Sequence, residues 1–121
     1  MTTIEIANRL VELCRDGKGD EILDTLYSKD AVSVEAMTAP GMEREARGVE
    51  AIRAKGVWWV NNHDVHAFDI TGPWPHDDRF IVGFSIDVTF KPTGERTKMQ
   101  EAGLYTVAGG KIVREEFFYS A

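Results

Sequence analysis

Alternation of apolar and polar residues over Phe80–Phe90 constrains the fold of this chain more than any other feature of its sequence. Every even position in this range is apolar, and the odd positions are mostly small or polar. A period of two is typical of a β-strand that turns one face toward a hydrophobic core. We therefore expect a strand here, the first of three antiparallel strands that fill residues 79–119.

A short turn follows this strand and sets the register of the next one. The segment Lys91–Arg96 contains Pro92 and Gly94, two residue types that favour tight turns. With residues 93 and 94 at the centre of the turn, the predicted pairs are Phe90 with Thr97, Val88 with Met99, Ile86 with Glu101, Phe84 with Gly103 and Val82 with Tyr105. This register places one carboxyl group, that of Glu101, on the apolar face of the sheet.

The first part of the chain predicts helices alternating with short strands. Apolar residues at helical spacing indicate helices at about 3–16, 20–27 and 48–59, the first with a capping box formed by Thr2 and Glu5. Strands are expected at 31–35, 42–47 and 62–74, with a loop at 37–41. The last of these strands is expected to break at Gly72-Pro73 and at 75–78. Helices packed on one face of an antiparallel sheet make an α+β fold.

Composition and charge argue against several classes of protein. The net charge is −6 and no basic stripe is present, so we expect no nucleic-acid partner. No apolar run approaches the roughly 18–20 residues of a membrane helix, and the start of the chain does not resemble a signal peptide. The single cysteine, Cys14, cannot form an internal disulfide and lies on the apolar stripe of the first helix. The sequence predicts a cytoplasmic protein with one domain over residues 1–121.

Three segments of the chain carry a family likeness. They are Leu26–Val32 after the second helix, Gly48–Ile52 at the start of the third, and the closing hairpin Glu101–Tyr119. These segments and the order of elements resemble the SnoaL-like proteins of the nuclear transport factor 2-like superfamily. The resemblance implies a cone-shaped barrel, in which a strongly curved antiparallel sheet wraps around three N-terminal helices. It also implies a pocket on the concave face of the sheet and a homodimer formed through the outer face.

The same resemblance leaves the chemistry open. The superfamily includes ketosteroid isomerases, polyketide cyclases, dehydratases, epoxide hydrolases and members with no known activity, and a shared fold does not select among them. The sequence has no nucleophile elbow, no phosphate-binding loop and no metal-ligating motif. We therefore expect neither a cofactor nor a metal.

Glu101 is the first candidate for a chemical role. Desolvation on an apolar face would raise the pKa of its carboxyl, which could then act as an acid or a base near neutral pH. The alternative is that Glu101 pairs with an arginine or a hydroxyl group and only shapes the pocket.

Glu115 is the second candidate, and its orientation depends on the turn at 109–110. The alternate residues 113–119 include Glu115 and carry more aromatic surface and less charge than the opposite set, so we assign them inward. A strict two-residue turn would pair Ile112 with Val107 and reverse this choice. A β-bulge that uses one glycine in a left-handed conformation would restore it.

An inward Glu115 would lie close to Glu101 on the neighbouring strand. Two neighbouring carboxyl groups share protons and titrate as a pair. The sequence thus predicts two catalytic carboxyls, although a slip of one residue would turn Glu115 outward.

Other side chains complete the predicted site. His66 shares a face with Phe68 and Ile70 on the long strand and is expected to pack in the core or contact a ligand. Trp58 and Trp59 are expected to pack in the core, with ligand contact as the alternative. The residues predicted to contact a ligand are His66, Tyr27, Trp58, Phe84, Ile86, Met99, Tyr105, Phe117 and Tyr119.

Glu35 ends the first short strand. By resemblance, it lies nearest to the base aspartate of ketosteroid isomerases, and Glu101 lies near their acidic oxyanion donor. The first helix, however, contains no tyrosine to match the hydroxyl donor of those isomerases. Strand alternation also points Glu35 away from Val32 and Val34, so we expect it to face solvent.

Three hypotheses about function follow. In the first, the protein is a cofactor-independent isomerase, cyclase or dehydratase acting on a small apolar carbonyl compound. Glu101 or Glu115 moves a proton, and a tyrosine (Tyr27, Tyr105 or Tyr119) donates to the developing oxyanion. In the second, the protein binds a small hydrophobic molecule without turnover, as an accessory module. The third is a structural dimer with a filled core.

Overall fold

The computed structural model describes residues 1–38 and 43–120, and its elements follow the predicted order. The helices are α1 (Thr3–Arg15), α2 (Gly19–Leu26) and α3 (Val49–Asn62). The strands are β1 (Tyr27–Val34), β2 (Glu45–Arg47), β3 (His63–His76), β4 (Arg79–Phe90), β5 (Glu95–Ala108) and β6 (Lys111–Phe118). The α+β class is confirmed. Most of the predicted loop at 37–41 and the first residue of the strand predicted at 42–47 lie outside the described residues.

Helix α1 begins with the predicted capping box. The Thr2 hydroxyl accepts the backbone N–H of Glu5, and the Glu5 carboxylate accepts the backbone N–H of Thr2 at 2.8 Å. Its buried side chains are Ile6, Ala7, Leu10, Val11 and Leu13. Ile4 follows the helical spacing of Ala7 and Val11 but is exposed, because the buried stripe is rotated toward Ile6.

The six strands form one mixed sheet in the order β2-β1-β6-β5-β4-β3. Strands β3 to β6 make the predicted antiparallel meander, while β1 pairs with β6 in parallel. In the described part of the chain, β2 and β3 are the edge strands. The sheet is therefore curved and not closed, which agrees with the predicted cone-shaped α+β architecture, while the parallel β1–β6 pair departs from the antiparallel pairing that was expected.

The pairing of β4 with β5 differs from the predicted register by two residues. Phe90 pairs with Glu95, and Phe84 pairs with Glu101. The reason is that the loop holds four residues and ends at Gly94, whose φ of 73° is left-handed and whose N–H donates to the carbonyl of Phe90. Because a shift of two residues preserves side-chain alternation, Glu101 keeps its predicted face.

Strand β3 is longer than predicted. The Gly72-Pro73 peptide is cis and lies inside the strand, where a register shift between Thr71 and Trp74 absorbs it. The chain turns only at Asp77 and Asp78. The predicted break at Gly72-Pro73 is therefore wrong, since β3 continues to pair with β4 on both sides of it.

The concave face of the sheet is filled at one end and less covered farther along, before Val88 is buried again. Helices α1 and α2 cover the filled end, where the buried sheet residues include Ile70, Phe80, Val82, Tyr105 and Ile112. Farther along the same face Phe84, Ile86 and Met99 are only half-buried, and Phe68 is 43% exposed. We call the surface formed by these last four side chains the open end. No helix among the described residues is long and apolar enough to cross a bilayer.

Candidate active site

Glu101 lies on β5 at the border between the filled end and the open end. Burial raises the pKa of its carboxyl from an ordinary 4.5 to about 7. The neighbouring Glu35 carboxylate adds to this rise, and the Lys55 ammonium opposes it. Among the described residues, no side chain forms a hydrogen bond or ion pair with the Glu101 carboxyl. Glu101 is thus a carboxyl with a near-neutral pKa and no partner in the described structure.

Tyr105 lies four residues along the same strand and points its ring toward Glu101. The residue between them on this face is Gly103, and a Cβ at this position would lie 2.8 Å from the Tyr105 ring and 3.2 Å from its hydroxyl oxygen. The ring therefore occupies the space that a side chain at Gly103 would need. It also stacks on Phe80, with ring centroids 4.9 Å apart. Gly103 is required here for close approach rather than for a turn.

The Tyr105 hydroxyl accompanies Glu101 as a second polar group with no partner. In the described part of the chain it forms no hydrogen bond with another residue, and since no buried side-chain oxygen there lacks a partner, the hydroxyl oxygen accounts for some of the 3% of Tyr105 that is exposed. Burial raises the pKa of Tyr105 well above its ordinary value, and the carboxylates of Glu115 and Glu101 add to the rise. The phenol therefore stays protonated and is available as a hydrogen-bond donor.

Glu115 lies on β6, directly across from Tyr105, and its carboxyl is held on both sides. One oxygen accepts a hydrogen bond from the Tyr27 hydroxyl, and the other accepts one from the Ser33 hydroxyl at 2.6 Å. The side chain is buried, and burial raises the pKa of its carboxyl against the opposing effect of these two hydrogen bonds. Glu115 is therefore fixed in place.

A bulge in β6 turns Glu115 inward. Both glycines of the turn 109–110 have positive φ, and Val107 pairs with Ile112 as a two-residue turn requires. The register then shifts by one residue, which leaves Val113 as the extra residue of β6. Ile112 and Glu115 both face inward as a result. The bulge was expected within the turn and lies instead in the strand.

A chain of hydrogen bonds connects Glu115 to the rim of the site. The Lys55 ammonium on α3 donates to the Ser33 hydroxyl at 2.5 Å and to the Glu35 carboxylate at 2.7 Å. The Tyr119 hydroxyl donates to the other oxygen of Glu35 at 2.8 Å. Burial and the bonded Glu35 carboxylate raise the pKa of Tyr119.

The expectation that Glu35 faces solvent is wrong. Its side chain is only 27% exposed and forms an ion pair with Lys55. Val34 is buried, as its apolar side chain suggests, but the side chains that face the site are those of Ser33 and Glu35, which accept hydrogen bonds from Lys55. Ser33 and Lys55 were missed as site residues.

A signal for Lys55 was present in the sequence. It follows Ile52, the buried residue of α3, by three positions, so the two side chains share one face of the helix. A lysine on the buried face of a helix brings a positive charge close to the core, so it requires a hydrogen-bonding or anionic partner there.

Glu101 and Glu115 do not form the close pair that the sequence predicted. Glu115 pairs across the sheet with Tyr105, four residues along β5 from Glu101, and its oxygens are committed to other groups. Glu35 is a stronger influence on the Glu101 pKa than Glu115 is.

Two predicted ligand contacts lie away from this site. A register shift in β3 between Val65 and Ala67 turns His66 off the face of Phe68, and its Nε2 contacts the Thr89 hydroxyl at 2.7 Å. His66 is exposed on the outer side of the sheet.

Trp58 is 42% exposed rather than packed in the core. It contacts the ring of His63 edge-on and borders an open cleft of about 350 Å³ between α3 and β2. Lys55 lines the same cleft, so the cleft adjoins the hydrogen bonds that Lys55 makes with Ser33 and Glu35. Trp59 is half-buried and stacks on His63 at 4.3 Å.

The structure places the other predicted contact residues near the candidate site, and their contact with a ligand stays a prediction. Phe84, Ile86, Met99 and Phe117 are half-buried, and Phe84 and Phe117 approach each other with centroids 6.4 Å apart. Tyr27 and Tyr119 are near the site, but their hydroxyls already donate to carboxylates. No group of three metal-ligating side chains occurs within residues 1–38 and 43–120.

The raised pKa of Glu101 predicts a pH-dependent cost in stability. An unfolded Glu101 loses its proton near pH 4.5 and the folded one only near pH 7, so the free energy of unfolding falls as pH rises through this window. We expect Glu101→Gln, which cannot ionise, to be more stable than the wild type by about 2 kcal/mol at about pH 8, after allowance for partial exposure, and about equal at about pH 4. Urea unfolding at both pH values measures this difference. An equal difference at both pH values would contradict the prediction.

A profile of the SnoaL-like domain matches residues 1–119. The chain belongs to the SnoaL-like family. No curated protein sequence matches this SnoaL-like chain.

Solved structures agree with the family and the fold. A candidate SnoaL-like polyketide cyclase (carbohydrate phosphatase) from Mesorhizobium loti is 43% identical, with a TM-score of 0.92 over 98% of this chain and 100% of its own. A nuclear transport factor 2-like protein from Burkholderia thailandensis is 18% identical, with a TM-score of 0.84 over 99% and 92%. A protein of ketosteroid isomerase-like fold from Catenulispora acidiphila, in complex with trimethylamine, is 22% identical, with a TM-score of 0.73 over 98% and 88%. The last two show the fold alone.

Proposed function

We propose that this SnoaL-like protein binds a small, uncharged, mostly apolar carbonyl compound at the open end and moves a proton on it without a cofactor. The observation that carries the proposal is the pairing, on one strand, of a carboxyl with a pKa of about 7 and a buried phenol, both without partners among the described residues. Half-buried apolar side chains border Glu101 and give a ligand contact area.

The proposed chemistry is proton abstraction next to the carbonyl group. With a pKa of about 7, the Glu101 carboxyl can take up and release a proton near neutral pH, which suits a general base that must later return the proton. The carboxylate takes a proton from the carbon beside the carbonyl, the electron pair of that C–H bond forms a carbon–carbon double bond, and the π electrons of the carbonyl group move onto its oxygen to give an enolate. The Tyr105 hydroxyl donates a hydrogen bond to that developing oxyanion. Glu101, now protonated, is the acid for the next step.

The enolate intermediate can react further in three ways. Return of the proton to a different carbon is isomerisation. Attack of the enolate on a second carbonyl group of the same molecule is an aldol-type cyclisation, and loss of a hydroxyl group from the β carbon is dehydration. The M. loti relative bears a cyclase name, which is consistent with the second outcome.

Glu101 suits the acid–base role better than Glu115. The two oxygens of Glu115 accept hydrogen bonds from Tyr27 and Ser33, so proton transfer to a ligand would require breaking one of them. By the same reasoning Tyr105 is a better oxyanion donor than Tyr27, whose hydroxyl is occupied. We assign Glu115 and Tyr27 to holding the site.

Charge narrows the class of ligand. The site brings three carboxyl groups, those of Glu35, Glu101 and Glu115, around one ammonium, that of Lys55. An anionic ligand would meet unfavourable potential there, whereas a neutral carbonyl compound would not.

The experiment is proton exchange on a panel of one-ring and two-ring ketones in D2O, followed by NMR. Exchange at the carbon beside the carbonyl that depends on Glu101 supports the enzyme. Ketones that bind at the open end and return with no deuterium above the rate without protein would overturn catalysis and support the second hypothesis, a binding module. No binding of any ketone would overturn both.

We also propose that the protein forms a homodimer through the outer face of the sheet. Exposed Trp74, Ile81 and Phe118 lie on this face beside a shallow depression whose lining includes Gly83 and Ala102. Large apolar side chains next to small ones can interlock with a second copy of the same surface.

This proposal predicts the mass in solution. We expect sedimentation at about 27 kDa, twice the 13.6 kDa of the chain, at micromolar concentration. Ile81→Glu should give a monomer, because it places a charge inside the interface. Val57→Glu, which changes an exposed apolar residue on α3, is the control and should stay dimeric. A wild-type mass near 13.6 kDa would contradict the dimer.

A further inference from the structure

We propose that Lys55 is a positioning residue of the candidate site: from α3 its ammonium holds Glu35 directly and Glu115 through Ser33, and it thereby fixes the charged groups that face Glu101. This inference rests on the proposed role of Glu101 as the acid–base group. It adds a residue on a different element, α3, whose side chain does not need to touch the ligand.

The hydrogen bonds around Lys55 have one consistent direction. The ammonium donates to the Ser33 oxygen at 2.5 Å, and the Ser33 hydroxyl donates in turn to Glu115 at 2.6 Å. Because Ser33 has one proton and gives it to Glu115, it must accept from Lys55. A second N–H of Lys55 donates to Glu35 at 2.7 Å. One ammonium thus orients two carboxyl groups on two different strands of the site.

The Lys55 side chain is held where its charge can act. It is only 26% exposed, and its ammonium lies 5.4 Å from the centre of the Phe117 ring on the inner face of β6. A cation over an aromatic ring gains further attraction when it is partly shielded from water. Lys55 is therefore a half-buried, oriented charge rather than a mobile surface lysine.

The charged and titratable groups around Glu101 come from every element packed against it. Glu35 after β1, Lys55 on α3 and Glu115 on β6 act on the Glu101 carboxyl, and Glu101 in turn acts on Tyr105 of β5 and on Tyr119, which follows β6. Arg44 lies near Glu35, but it is exposed and donates to the backbone carbonyl of Glu35 at 3.0 Å. Lys55 lowers the pKa of Glu101, and Glu35 raises it. The two members of one ion pair thus act on Glu101 in opposite directions.

The test is an NMR titration of the Glu101 side-chain carbon in four variants, which needs neither ligand nor turnover. We expect Lys55→Met to move the Glu101 midpoint upward by about one pH unit, because the opposing positive charge is lost. Lys55→Arg should keep the wild-type midpoint, since it retains the charge. Glu35→Gln should move the midpoint downward. Lys98→Met is the control, because Lys98 lies on the same strand, across from Asp87, and it should leave the midpoint unchanged.

The outcomes separate positioning from a merely structural role. If Lys55→Met lowers stability but the Glu101 midpoint does not move, Lys55 only supports the fold and the inference is wrong. An equal midpoint shift in Lys98→Met would also overturn it. Should Lys55→Met fail to fold, Lys55→Arg and Glu35→Gln decide: a midpoint that moves in Lys55→Arg, or stays in Glu35→Gln, overturns the inference. Midpoint shifts of the expected sign without any exchange of ketone protons would support this inference and refute the proposed enzyme.

Discussion

Glu101→Gln should abolish proton exchange on a bound ketone and leave affinity for that ketone within a few-fold of the wild type. Glutamine keeps the shape and polarity of the side chain but cannot accept a proton at neutral pH, and loss of a general base costs about 10²–10⁴-fold in rate. Isothermal titration measures the affinity, and NMR in D2O measures the exchange rate. The same substitution should make the protein more stable at alkaline pH, so a lost activity could not be blamed on unfolding.

Two variants sharpen the interpretation of this result. Glu95→Gln changes an exposed glutamate at the start of the same strand and should keep the full exchange rate. Tyr105→Phe should slow exchange without changing the pH at which the rate is half-maximal, because the phenol donates a hydrogen bond but does not titrate in this range. An exchange rate in Glu101→Gln equal to that of the wild type would remove Glu101 from the mechanism.

The largest expected effect on stability belongs to Glu115→Ala. The substitution leaves the Tyr27 and Ser33 hydroxyls without their acceptor in a buried site and opens a cavity, and we expect a loss of about 3 kcal/mol in the free energy of unfolding. Glu116→Ala is the matched control on the same strand. Glu116 is a half-exposed residue whose ion-pair distance to Arg114 is 3.7 Å, so its removal should cost about 0.5 kcal/mol or less.

Urea unfolding of the two variants measures the contrast directly. Equal losses in Glu115→Ala and Glu116→Ala would contradict the inward orientation of Glu115, on which the network depends. Glu115→Gln should lie between the wild type and Glu115→Ala, since an amide oxygen can accept one of the two hydrogen bonds but not both.

The two predictions assign different roles to two glutamates on neighbouring strands. Glu101 lacks a partner in the described structure, and its ionisation is opposed by burial, so it suits an acid–base role. Glu115 is buried and both of its oxygens accept hydrogen bonds, so it suits a structural role. Burial is common to both, so the hydrogen-bond partners, and not the pKa direction, distinguish the roles.

The sequence by itself determined the features that depend on local periodicity. The capping box of α1, the order of helices and strands, and the alternation that directs Glu101 inward all follow from residues close together in the chain. Even the two-residue error in the β4–β5 register left Glu101 on the correct face, because side chains on a strand repeat every two residues.

Only the tertiary structure decided which polar groups have partners. Lys55 reaches Ser33 and Glu35 from a separate helix, and Tyr119 reaches Glu35 across 84 residues of chain, so no local pattern could pair them. The bulge at Val113, which turns Glu115 inward, arises from strand pairing and not from the turn. The site forms when long-range packing brings together side chains that are far apart in the sequence. Which of them meet depends on the complete fold, so no local pattern of residues reveals it.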